Sequence, residues 1–226
     1  MMRLARFLAQ AGVASRRKSE DIIRGRHVAV NGRIVTIVGT NVDPANDSIS
    51  VDGKRVSPES FVYYLVHKPV GYVCSAKQQG TDKLIIDLVP KQPRVYPVGR
   101  LDKDSSGLVL LTNDGDLAMK LMHPRYGAEK KYEVTLVNSI PRASIERLLR
   151  GVRLREGIAR ADAVERLSGK KLHIVVHQGW HRQIRRMLGR LGHDIESLVR
   201  ISEAGMTLSA MKPGEYRTIA RNEITI

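Results

Sequence analysis

The residues best equipped for chemistry stand together in Arg100-Leu101-Asp102-Lys103-Asp104-Ser105-Ser106-Gly107, and the apolar run Leu108-Val109-Leu110-Leu111 follows directly. That order predicts a polar loop feeding a buried strand. The core then fixes the backbone of the loop and holds a reactive carboxylate in place. The same residues also fit a plain turn in which Asp102 and Asp104 pair with Arg100 and Lys103. A second stretch, residues 181–192, carries cations at helical spacing. On a helical wheel Ile184, Met187, Leu188 and Leu191 make one apolar stripe. Arg182, Arg186 and Arg190 line up on the opposite side, which suits a phosphate track. Arg185 falls at the border of the stripe, where a guanidinium is partly buried and needs a carboxylate partner.

The chain that must position these groups has 226 residues, enough for one medium core plus a small module. Its 42% hydrophobic content excludes a disordered chain, and its 4% aromatic content makes the core aliphatic. A formal charge of +15 favours a polyanionic partner over neutral metabolites. No run of apolar residues is long enough to span a bilayer. Arg6 and Gln10 interrupt any signal-peptide core. Cys74 is the single cysteine, which fits a reducing compartment and excludes disulfide and cysteine-cluster zinc frameworks. The seven histidines show no metal-ligand spacing. The expectations are a cytoplasmic monomer with no metal, no cofactor and no membrane partner.

From the N-terminus, Leu4, Phe7, Leu8 and Ala11 lie at helical spacing and Gly12 ends the helix. Ser15 is placed to cap a second helix. Its opening turn, Arg16-Arg17-Lys18, sets cations at the positive end of the helix dipole, where they cost stability. Such a turn suits an anion supplied from outside, a phosphate grip; a solvated charge run is the alternative. Residues 28–35 and 49–56 each read as strand, Asn-Gly or Asp-Gly turn, strand. With Arg24, Arg26 and Arg33 near one edge, this is a small nucleic-acid-binding module. Beyond it, residues 62–66 predict a strand and 75–82 a polar loop, in which Lys77, Gln78, Gln79 and Gly80, with Lys83, either touch RNA backbone or are solvated. Asn113 or Asp114 caps a helix through Leu117, Ala118, Leu121 and Met122. Lys130-Lys131-Tyr132-Glu133-Val134-Thr135-Leu136 predicts a strand with Tyr132, Val134 and Leu136 on one face, and by composition Tyr132 is a core tyrosine. A short helix over 144–149 is expected to turn Ile145, Leu148 and Leu149 inward, and a strand follows over 171–176.

Two resemblances sharpen this reading. Residues 2–56, through Ala11-Gly12-Val13-Ala14-Ser15-Arg16-Arg17-Lys18, the Gly25 turn and Val30-Asn31-Gly32, resemble the S4 domain, an RNA-binding module. Gly99-Arg100-Leu101-Asp102 followed by Ser105, Ser106 and Gly107 resembles the signature of the pseudouridine synthases of the small-subunit/large-subunit ribosomal RNA type. The run Arg182-Gln183-Ile184-Arg185-Arg186-Met187 resembles a second motif of that family, and the closing segment through Lys212-Pro213-Gly214-Glu215-Tyr216-Arg217 its usual end. The resemblance implies an α+β chain: an S4-like domain over 1–57, a linker over 58–61, and a catalytic domain over 62–226 built on a mixed, mainly antiparallel sheet with flanking helices. It implies Asp102 as nucleophile, Tyr132 stacking on the base and accepting its proton, and Arg185 paired with Asp102; Asp104 falls in a variable slot. RNA would be gripped by Arg16, Arg17, Lys18, Arg24, Arg33, Arg100, Lys131, Arg182, Arg186 and Arg190. The overall pattern is most similar to enzymes of large-subunit ribosomal RNA. The small-subunit RNA, a transfer RNA, or a non-catalytic S4-type binding or ribosome-assembly role are the alternatives. In two places the sequence departs from the family: His67 stands where Asn is usual, and Gln178 where Glu is usual.

Overall fold

The computed structural model describes residues 1–78 and 80–225. Gln79 of the polar loop and Ile226, the end of the expected catalytic domain, lie outside the described residues. The chain forms two compact units, Met1–Phe61 with Gln92–Arg94, and Val62–Lys91 with Val95–Ile226.

The first unit packs α1 (Leu4–Gln10) and α2 (Arg16–Arg24) against a four-stranded sheet. Its strands are β1 (Val28–Val30), β2 (Arg33–Ile34), β3 (Ile49–Val51) and β4 (Lys54–Arg55), in the order β2-β1-β3-β4. Leu4, Leu8, Ile23, Val28 and Ile49 make its core. Both hairpins turn through left-handed pairs, Asn31-Gly32 and Asp52-Gly53, the backbone that a two-residue turn between twisted strands requires. Ser15 caps α2, its hydroxyl accepting from the Lys18 N–H at 3.3 Å. The Glu59 N–H donates to the Gln10 carbonyl at 2.9 Å, which ties that part of the segment before residue 62 to the end of α1.

The second unit is built on a nine-stranded sheet with helices packed on it. In chain order its elements are β5 (Tyr63–Lys68), β6 (Tyr96–Val98), β7 (Ser106–Thr112), α3 (Gly115–Met122), β8 (Lys130–Leu136), α4 (Arg142–Arg150), β9 (Ala163–Arg166), β10 (Lys171–Val176), α5 (Gln183–Arg190), β11 (Ile195–Glu203), β12 (Met206–Thr207) and β13 (Tyr216–Thr218). The path across the sheet is β9-β10-β8-β11-β7-β5-β13, with β6 also on β7 and β12 on β11. Among the described residues, β7 with β11 is its only parallel pairing. The expected α+β, mainly antiparallel arrangement is present.

β7 explains why its sequence is an unbroken apolar run. Leu108 and Leu110 enter one core with Leu65, Leu117 and Leu121, while Val109 and Leu111 enter another with Val66, Ile85 and Leu101. A strand covered on both faces has no reason to alternate. A third core gathers Val134, Leu136, Leu172 and Ile174 with Ile184, Met187 and Leu188 of α5, so the predicted stripe of that helix is its buried face. Asp114 caps α3, accepting from the Asp116 and Leu117 N–H groups at 3.1 Å. One expectation fails on α4: Ile145 and Leu148 turn inward, but Leu149 is exposed. Adjacent positions on a helix differ by about 100°, so only one of Leu148 and Leu149 fits a single narrow contact face.

Candidate active site

The loop that carries Asp102 is held from three directions. On one side the Leu101 side chain is buried and its N–H points at the Cys74 sulfur, 3.3 Å away. Next, the Lys103 carbonyl accepts from the Gly71 N–H at 2.7 Å, and the Lys103 ammonium lies 2.6 Å from the Asp82 carboxylate. On the other side the Ser105 carbonyl accepts from Lys68 Nζ at 2.6 Å, and the Ser105 N–H closes the turn onto the Asp102 carbonyl at 3.1 Å. Lys68 itself is fully buried at the end of β5. Burial pushes its ammonium down from the usual value, against the pull of the Asp102 and Asp104 carboxylates. Asp102 is left half-exposed on a cavity of about 980 Å³, which Arg100, Tyr132, Trp180, Arg182 and Arg200 also line.

Behind that loop the sheet register sets four residues in a row across neighbouring strands. Lys68 of β5 pairs with Gly107 of β7, Gly107 with Arg200 of β11, and Arg200 with Tyr132 of β8. Residues directly across a sheet share a face, so Lys68, Arg200 and Tyr132 approach the loop from one side. The Arg200 guanidinium is fully buried. Its Nε donates to the Leu108 carbonyl at 2.7 Å, its Nη2 lies 3.2 Å from Glu203, and the Tyr132 phenol lies beside it. Burial opposes the charge most strongly, but the Glu203 carboxylate, with smaller contributions from Tyr132 and Cys74, holds Arg200 cationic. Burial likewise pushes the Tyr132 phenol up, and the Arg200 charge pulls it back. Tyr132 is therefore a protonated phenol at neutral pH, half-buried, one side packed in the sheet's cores and the other on the cavity.

The arginines of α5 do not distribute as expected. Arg185 is partly buried and does find an acidic partner, but that partner is Asp104 rather than Asp102. Its Nη2 donates to the Asp104 carbonyl at 2.9 Å and to the Ser105 hydroxyl at 3.2 Å, and its Nε lies 3.5 Å from the Asp104 carboxylate. Arg182 takes the same carboxylate end-on, with two hydrogen bonds of 2.9 and 2.8 Å, and comes within 3.7 Å of Asp102. The reason is the turn between Asp102 and Ser105: it presents Asp104, exposed at its tip, to the start of the helix, and keeps Asp102 towards the cavity. Arg186 is also engaged, with a two-point contact of 2.8 and 2.9 Å to Glu156. Arg190 is exposed and has no carboxylate partner among the described residues. The phosphate track therefore reduces to Arg190, with Arg182 and Arg186 available only by exchanging their carboxylate partners. The Arg182 guanidinium beside Asp104 holds its carboxyl below the ordinary value of 3.8. A carboxylate titration followed by NMR should place the Asp104 midpoint below that value. Its contribution to stability is then present at higher pH and lost only as pH falls through the lowered midpoint. Arg182→Gln should move the midpoint back up; an unmoved midpoint would contradict the pairing.

The other expected RNA contacts fall on surfaces. Arg16 and Arg17 are exposed in the first turn of α2, Lys18 lies 3.9 Å from Asp21, and Arg24 pairs with Asp21 at 3.4 Å. Arg33 is exposed on β2 and Arg100 on the cavity. Lys131 stands 3.6 Å from Glu165. Of the two departures, His67 is buried with its Nδ1 2.8 Å from the Met211 carbonyl, and Gln178 accepts from Gln183 Nε2 at 3.2 Å. Lys68, Arg200 and Glu203 were not legible as site residues. Lys68 is the ordinary Lys of a Lys-Pro turn in the sequence, and Arg200 one of 38 basic residues. Their meaning comes from register and burial; the one linear signal is a charge set within the apolar stretch Leu198-Val199-Arg200-Ile201. Among the described residues no cluster of three or more His, Cys, Asp or Glu could hold a metal ion, and no helix is long and apolar enough to cross a membrane.

Residues 62–189 match the RNA pseudouridylate synthase family and residues 2–49 match the S4 domain. The chain is 39% identical to ribosomal large subunit pseudouridine synthase B of Bacillus subtilis (strain 168), over 99% of this chain and 94% of that protein. It is 34% identical to a dual-specificity RNA pseudouridine synthase of Escherichia coli (strain K12), over 99% of this chain and 77% of that one. A crystal structure of a pseudouridylate synthase superposes with a TM-score of 0.71 at 27% identity, over 99% of this chain and 98% of the other.

Proposed function

The chain belongs to the RNA pseudouridylate synthase family, and we propose that it converts one uridine of large-subunit ribosomal RNA to pseudouridine, with Asp102 as the nucleophile. The observation that carries this is the loop geometry: a carboxylate pinned through the backbone on both sides, open to a cavity that also holds a tyrosine face and three arginines. The isomerisation breaks the bond between N1 of the base and the sugar, joins the sugar to C5 instead, and moves the proton from C5 to N1. A target uridine must leave its stack to enter such a cavity, at a cost that a loop or bulge lowers. In this reading Arg100 and Arg182 meet the flanking phosphates, and Tyr132 packs on the uracil ring. Because Tyr132 is a protonated phenol, its oxygen takes the C5 proton as it passes its own proton on towards N1, and the Arg200 cation beside it steadies the partial negative charge the oxygen carries during that exchange. Arg182 and Arg185 act through Asp104, which fixes the turn, rather than through the nucleophile. Similarity to a large-subunit enzyme over nearly the full length of both chains supports the choice of RNA.

Release of tritium from transcripts labelled at C5 of uridine tests this. We expect release from unmodified large-subunit ribosomal RNA and none from small-subunit RNA or transfer RNA. No release from any of them would overturn the isomerase reading and leave an S4-type RNA-binding role. Tyr132→Phe keeps the ring and removes the oxygen, so single-turnover release should fall by roughly 10²- to 10⁴-fold with RNA affinity unchanged. Full activity in that variant would exclude the hydroxyl from the proton transfer.

A further inference from the structure

Beside the catalytic cavity, β6 and one face of α3 border a second, open groove of about 350 Å³, lined by Tyr96, Gly115, Ala118, Met119, Met122 and His123. Met119 and Met122 are exposed, at 61% and 52%, unusual for large apolar side chains at the mouth of a polar site. The groove adjoins the cavity, with Tyr96, Met122 and His123 lining both. At its edge the His123 and Tyr126 rings meet edge-to-face with centroids 6.1 Å apart, and the Arg125 guanidinium lies over the Tyr126 ring at 5.0 Å.

Resting on the isomerase reading, we propose that this groove takes the nucleobase next to the target uridine in the same RNA strand. Three features select that occupant. An extruded uridine leaves its neighbour unstacked, and an unstacked base seeks an apolar or aromatic face. The groove shares three lining residues with the cavity, so a strand with one base in the cavity passes beside it. The Arg125 guanidinium at that edge matches the phosphate that joins the two nucleotides. Methionine suits such a floor, because its unbranched, polarisable chain adapts to whichever base flanks the uridine. The groove then contributes to site choice through the geometry of the strand, without requiring a particular base.

Met119 lines the groove and not the cavity, and its exposure makes it safe to replace. The full-length protein with p-benzoylphenylalanine at position 119 is irradiated on an unmodified large-subunit ribosomal RNA transcript. Reverse transcription locates the cross-link, and pseudouridine mapping of the same transcript by wild-type protein locates the converted uridine. We expect the cross-link at the neighbour of that uridine or one nucleotide beyond. A cross-link elsewhere on the RNA, a cross-link to a second protein chain, or none at all overturns the proposal. Failure of the wild-type protein to convert any uridine overturns the isomerase reading instead, so the two failures are separate. A second variant, Met119→Asp, should raise the KM for RNA about tenfold with kcat nearly unchanged. An unchanged KM would overturn the groove as a base site.

Discussion

An alanine at position 107 is expected to destabilise the second unit by about 4 kcal/mol or more and to lower its melting temperature by roughly 10 °C. Gly107 has a φ of +115°, and a Cβ there would stand 2.3 Å from the Arg200 carbonyl oxygen and 2.4 Å from its backbone nitrogen. Neither atom is the end of a flexible chain; both belong to the strand paired with β7. β7 and β11 would have to separate where they begin to pair. Separation would strain the bond from Arg200 to the Leu108 carbonyl and displace the row that ends in Tyr132. Gly71→Ala is the control, since Gly71 has a φ of +91° but nothing within 4 Å of its Cβ position. That variant should lose only the conformational strain, about 1 kcal/mol. Equal melting temperatures for the two would refute the close-approach account of the signature glycine.

Asp102→Asn should lower single-turnover pseudouridine formation by roughly 10⁴-fold or more. Asn has the shape of Asp but neither its charge nor its nucleophilicity. The loop should keep its place, because the bonds that hold it run through the backbone of Leu101, Lys103 and Ser105, and Arg182 is anchored on Asp104. RNA affinity should therefore persist, and so should its salt slope, which falls by about 0.9 log unit per log unit of salt for each duplex phosphate neutralised. Asp104→Asn distinguishes the two carboxylates. It releases Arg182 and Arg185 from their tether, so it should slow the reaction less than Asp102→Asn and steepen the salt dependence of binding. If Asp104→Asn were inactive and Asp102→Asn active, the assignment of the nucleophile would be reversed.

Much of this site can be read from the chain because its parts are local. A polar loop running into a doubly buried strand, a Ser cap, two Asn-Gly or Asp-Gly hairpins and an amphipathic α5 are each set by residues within a few positions of one another, and each is where the spacing places it. What is not local was missed or misplaced. The partner of Arg185 depends on which carboxylate of a four-residue turn faces the helix, and no spacing along the chain encodes that direction. The roles of Lys68 and Arg200 come from a register that aligns three strands separated by long stretches of sequence. The engagement of Arg186 by Glu156 crosses thirty positions. The outward turn of Leu149 reflects how narrow the contact face of α4 is, which only packing decides.

The central claim is that this chain makes pseudouridine at a defined position and that Asp102 does the chemistry. The most direct measurement is a pseudouridine map of ribosomal and transfer RNA from cells lacking the gene, complemented with the wild-type chain or with Asp102→Asn at matched protein levels. The account predicts that one large-subunit uridine loses its modification, that the wild type restores it, and that Asp102→Asn does not. An unchanged map, or restoration by Asp102→Asn, would contradict it.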